Sequence, residues 1–70
     1  MDLEHLRTFV TVAEQGTVSK AAQRLCVAQP ALSRRISALE ASLGVALFDR
    51  VRPRLVLTGP GEQLLADCRN

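Results

Sequence analysis

Apolar residues recur at helical spacing in three successive stretches of this chain. In the first, Leu3, Leu6, Phe9, Val10 and Ala13 share one face, with Asp2 placed to cap the start and Gly16 to stop the helix. Thr17 then caps a shorter run in which Val18, Ala21, Ala22 and Leu25 share a face. The paired alanines let another helix approach closely. Cys26-Val27-Ala28 leaves room only for a tight connection. The third stretch carries Leu32, Ile36, Leu39 and Leu43 at i, i+4, i+7 and i+11, a narrow stripe expected to dock on the other helices. Pro30 suits a first helical turn and Gly44 a left-handed stop, so the spacing predicts a helix over about 29–43.

Beyond Gly44 the pattern changes. Residues 45–48 and 55–58 are two short β-prone runs separated by the basic segment 50–54, which predicts a hairpin with Pro53 in or beside its turn. Thr58-Gly59-Pro60-Gly61-Glu62 reads as a cap and a new helix start, continued by Leu64 and Leu65. The expected fold is mainly α, a winged helix-turn-helix: a three-helix core, a small two-stranded β wing and the start of a fourth, linker helix.

Composition narrows the picture without changing it. Seventy residues make one small domain, and the 47% hydrophobic content includes only two aromatics, Phe9 and Phe48. The core must come from Leu, Val, Ile and Ala, which suits packed helices. No apolar run reaches the ~18 residues of a membrane span and no leader is recognisable, so a cytoplasmic protein is expected. Cys26 and Cys68 are expected to be free thiols, Cys26 as a small buried hydrophobe. Neither a metal nor a cofactor is implied.

Charge does change it. The net charge is only +2, yet residues 20–54 hold seven basic side chains against two acidic ones. That asymmetry points to a polyanion partner. On the third helix Arg34 points away from the apolar stripe, with Pro30, Ser37, Ala38 and Ala41 beside it. Gln29 and Ser33 lie toward the front, and Arg35 lies about 100° from Arg34, toward one flank. Arginine can grip guanine, glutamine can pair with adenine, and a proline or alanine surface suits a thymine methyl. This side of the helix is therefore the candidate base-reading face, against the plainer alternative of a solvated face. Arg50, Arg52 and Arg54 would reach phosphates or a narrow minor groove, unless they serve only solubility. Thr17, Ser19 and Lys20, at the positive end of the second helix, are placed for phosphate contact, and Thr17 can cap that helix as well.

Catalysis finds no support. His5 is the only histidine and stands without a Cys or carboxylate cluster. Gly59 and Gly61 flank a proline and read as turn chemistry, not as a phosphate loop.

The runs AAQRL, VAQPALSRRISALE, LGVALFDR and LT…G…LL, in this order and spacing, resemble the N-terminal DNA-binding domain of LysR-type transcriptional regulators over residues 2 to about 68. The resemblance implies a bacterial regulator, cytoplasmic and nucleoid-associated, that binds an interrupted palindromic operator of double-stranded DNA. It implies that Gln29, Pro30, Ser33 and Arg34 face bases. It places Thr17, Ser19, Lys20 and Arg35 near the backbone and the wing arginines near the minor groove. Residues 1–58 would form the DNA-binding unit and 59–70 a truncated start of the dimerisation helix. The full-length protein would then be a homodimer or tetramer, this length of chain a monomer or weak dimer, and a small-molecule co-inducer would bind only through an effector domain absent here.

Three departures from the family pattern stand out. Ala28 replaces the usual serine cap, the wing reads VRPR where glycine is frequent, and Gly59-Pro60-Gly61 is a breakable helix start. A competing reading, motivated by the modest net charge and the alanines on the outer face, is a helix-turn-helix-shaped protein-interaction module with no DNA role.

Overall fold

The computed structural model describes residues 2–51 and 54–69. The first three elements are helices α1 (Leu3–Gln15), α2 (Val18–Leu25) and α3 (Gln29–Leu43). Their ends follow from local chemistry. The Asp2 carboxylate accepts the His5 N–H at 2.9 Å, and that bond holds its pKa below the usual carboxylate value. Thr17 Oγ1 accepts the Lys20 N–H at 3.1 Å. Gly44, at φ 72°, ends α3 in the left-handed region that glycine enters without strain.

The link from α2 to α3 departs from expectation. Cys26 is exposed and not a buried hydrophobe, because it sits at φ 58° as the left-handed residue closing α2. Its amide donates to Gln23 O at 3.2 Å and that of Val27 to Ala22 O at 3.0 Å, which is the Schellman pattern. This geometry turns the chain within three residues and points the thiol away from the core.

Strands β1 (Phe48–Val51) and β2 (Arg54–Leu57) pair antiparallel, with Phe48 opposite Leu57 and Val51 opposite Arg54. The expected strand over 45–48 is thus displaced, and only Phe48 of that run joins the ladder. The backbone of the preceding residues is committed elsewhere. Ala46 O accepts the Thr58 hydroxyl at 2.6 Å, Leu47 O accepts the Thr58 N–H at 3.0 Å, and the Leu47 N–H goes to Glu40. Thr58 leaves the second expected strand to cap helix α4 (Gly59–Arg69), its Oγ1 accepting the Gly61 N–H at 3.1 Å. Much of the basic segment therefore lies in the strands. Arg52 and Pro53 lie outside the described residues.

Phe9, Val12, Ala21, Ala22, Leu32, Ile36, Leu39, Leu47 and Phe48 form the core, with Leu64, Leu65 and Cys68 of α4 packed against it. The two aromatics meet at a centroid distance of 5.5 Å. Leu3 and Leu43 of the stripes are exposed, at 82% and 39%, and Leu6 is half-buried outside the core cluster. Leu3 and Leu43 are terminal residues of their helices, and Leu47 and Phe48 close the core beyond Leu39 in place of Leu43. On α1 the buried positions are Thr8, Phe9 and Val12. Among the described residues no helix is long and apolar enough to cross a membrane.

Candidate nucleic-acid interface

The site is assembled from three elements that the fold brings to one side. The N-terminal turn of α2 presents Thr17, Ser19 and Lys20, α3 presents Gln29 and Ser33, and the wing presents Arg50 and Arg54. Together with Val18 and Leu55 they line a concavity of about 540 Å³. Three of its lining residues are cations and none is a carboxylate. Seven of the candidates from the sequence therefore converge on one groove.

The wing is tied to the helices on both sides of that groove. Leu55 N–H donates to Gly16 O at 2.9 Å, and Arg54 forms a single antiparallel bridge with Thr17. Arg50 Nη2 lies 3.5 Å from Ser37 Oγ on α3. These contacts hold the wing against α3 and the α1–α2 link, with Arg50 and Arg54 in the lining of the concavity.

The remaining candidates lie elsewhere. Pro30 and Arg34 are exposed on α3 outside the groove lining. Arg35 turns to the opposite flank, half-buried, with Nη1 4.0 Å from Glu4 Oε1. It lines a second concavity of about 400 Å³ with Leu3, Glu4, Arg7, Thr8 and Leu25. Arg52 lies outside the described residues. Among those described, Lys20, Arg34 and Arg54 form no ion pair, so their charges are not neutralised from within. Ala28 caps α3 without a side-chain hydrogen bond.

Glu40 and Gly61 matter to this geometry; from sequence, Glu40 has no assigned role and Gly61 reads only as turn chemistry and a weak helix start. Glu40 follows Ser33 and Ser37 at i+7 and i+3 on the wing-facing side of α3, so a helical wheel carries its signal. Gly61 packs against the Leu47 carbonyl, where a Cβ would collide. No sequence pattern reveals that contact.

Three core helices, a short tight link before the outward-facing helix and a cation-bearing ribbon beside it define the winged helix-turn-helix class of DNA-binding domains. Residues 3–62 match the model of the family described as bacterial regulatory helix-turn-helix protein, lysR family, and the chain belongs to that family. Its members are transcriptional regulators and not enzymes. The chain is 45% identical over 69 residues to the HTH-type transcriptional regulator ClcR of Pseudomonas putida, covering 99% of this chain and 24% of ClcR. It is 52% identical over 63 residues to the uncharacterized HTH-type transcriptional regulator YdcI of Escherichia coli K12, covering 90% of this chain and 20% of that protein. The chain thus spans about a quarter or less of these relatives. Among solved structures, the DNA-binding domain of CbnR in complex with DNA superposes with a TM-score of 0.92 at 43% identity, covering 99% of this chain and 79% of that one. The BenM DNA-binding domain on catB site 1 DNA gives 0.91 at 42% identity, covering 99% and 77%.

Proposed function

We propose that this domain reads double-stranded DNA sequence-specifically, with α3 in the major groove and the wing on the minor groove or the adjoining backbone. The observation that carries this reading is the groove shared by Lys20, Arg50 and Arg54 with Gln29 and Ser33. It sets three cations beside a helix whose exposed face bears Pro30 and Arg34. In this reading Gln29, Pro30, Ser33 and Arg34 meet bases. Thr17, Ser19, Lys20, Arg35, Arg50, Arg52 and Arg54 meet phosphates or the minor groove. Phosphate contacts fix register, and base-edge contacts select sequence.

Residues 1–58 are assigned to DNA binding and 59–70 to the start of a helix that pairs with a second copy. A homodimer or tetramer on an interrupted palindrome, a cytoplasmic location and a co-inducer site beyond this chain complete the proposal for the longer protein. The greater length of ClcR and YdcI supports a further domain.

The test is a titration of labelled domain with random duplex at several salt concentrations, alongside a duplex selected from a random pool. Binding should weaken steeply with salt and prefer the selected sequence. No binding of either duplex at micromolar concentration and low salt would favour a protein-interaction module.

A further inference from the structure

Glu40 is the only acidic residue of α3, and it faces protein amides instead of solvent. Its Oε2 accepts two backbone N–H groups, from Leu47 at 2.7 Å and Phe48 at 3.2 Å. These residues are the last before β1 and the first within it. Hydrogen bonds to an ionised, partly buried acceptor are stronger than neutral ones and hold geometry more tightly. The Leu47 carbonyl in turn accepts the Thr58 N–H at 3.0 Å, so the exit of β2 is pinned at the same place. One turn before Glu40, Ser37 meets Arg50. The base of the ribbon is thus fastened to the recognition helix by one carboxylate.

A ribbon of two four-residue strands is not stable alone and takes its position from what it packs on. A wing free to tilt would have to be ordered on binding, at a cost in affinity. We propose that Glu40 is a positioning residue for DNA binding. By anchoring the start of β1 it sets Arg50 and Arg54 at a fixed offset from α3, so one duplex meets both at once. This inference rests on the DNA-binding reading above.

The test measures Kd on random-sequence duplex across a salt series for four proteins. They are the unmutated chain, Glu40→Gln, the Arg50→Ala/Arg54→Ala pair, and all three changes together. Glu40→Gln should weaken binding about tenfold, the loss expected for a charge-assisted hydrogen bond. It should also flatten the salt dependence, because fewer wing contacts release counterions. In the chain already lacking both arginines the same change should cost under about twofold, since its effect runs through them. A tenfold loss that persists without the arginines would overturn the proposal and leave Glu40 a stability residue. Failure of the unmutated chain to bind any duplex at low salt would instead remove the DNA-binding reading, and this inference with it. Should Glu40→Gln not fold, amide hydrogen exchange on the unmutated chain decides. The Leu47 and Phe48 amides should exchange with the β1–β2 ladder and slow with it when duplex is added. Exchange independent of the ladder and unaltered by duplex overturns the proposal.

Discussion

Gly61 and Leu47 are in backbone contact: a side chain at Gly61 would run into the Leu47 carbonyl and approach Leu57 Cδ2 to 3.0 Å. The glycine that looks like a weak point in a helix start is what lets α4 close on the wing. Backbone cannot swing aside as a flexible side chain can, so Gly61→Ala should destabilise the domain by about 1–3 kcal/mol. Thermal unfolding by circular dichroism measures this. A melting temperature equal to that of the unmutated chain would show that α4 can lift off without cost.

Arg34 is exposed on the outer face of α3 and pairs with no carboxylate among the described residues. Arg34→Ala should weaken binding to a selected operator by about 1–3 kcal/mol and relax base preference at one position. Competition titrations against random duplex separate the two effects. An equal loss on both DNAs would make Arg34 a phosphate contact instead.

Arg54 sits in β2, bridged to Thr17 at the rim of the groove. Its removal should weaken binding to all sequences alike and reduce the slope of log K against log salt by about 1. An unchanged slope would place the Arg54 side chain off the DNA.

The helices were legible because each ends on chemistry visible in single residues: Asp2, Thr17, Pro30 and Gly44. The stripe of α3 was legible apart from the terminal Leu43, where a periodic pattern continues past the neighbours that could bury it. On α1 only Phe9 of the expected stripe is fully buried, and Thr8 and Val12 take the other buried positions. The wing was legible as a hairpin but not in its bounds. Val45 to Phe48 is an apolar run, and such a run reads the same whether it lies in a ladder or packs as an extended lead-in. What separates the two cases is the destination of the Leu47 amide and carbonyl, which depends on Glu40 and Thr58 and so on tertiary contact. Arg34 and Arg35 were separable from helical geometry alone, and Arg35 indeed lies on the other flank. That Glu4 waits there at 4.0 Å was not in the pattern.

Cys26 holds a left-handed backbone, at φ 58°, that costs a non-glycine residue about 1–2 kcal/mol. The residue is exposed, so its thiol contributes little packing in return. Cys26→Gly should stabilise the domain by about 1 kcal/mol, offset in part by the greater freedom glycine has in the unfolded chain. Urea unfolding reads this as a higher midpoint at constant slope. A lower midpoint would mean that the thiol makes a contact worth more than the strain.

Ala28 occupies the N-cap of α3 in extended backbone, at φ −71° and ψ 146°, without any side-chain hydrogen bond. The first turn of this helix has few orphan donors to satisfy. Pro30 brings no N–H, and the Leu32 N–H already donates to Ala28 O at 3.0 Å. The Ala31 amide is the one a capping side chain would reach, at the third helical position. Ala28→Ser places a hydroxyl at the point from which that amide can be accepted, with no change of backbone. It should stabilise the domain by about 1 kcal/mol, a rise of roughly 4–8 °C in melting temperature for a domain of this size. Ala28→Gly serves as the control, since glycine suits the position but offers no acceptor. If Ala28→Ser melts no higher than that control, the Ala31 amide is already satisfied by water and the missing cap costs nothing.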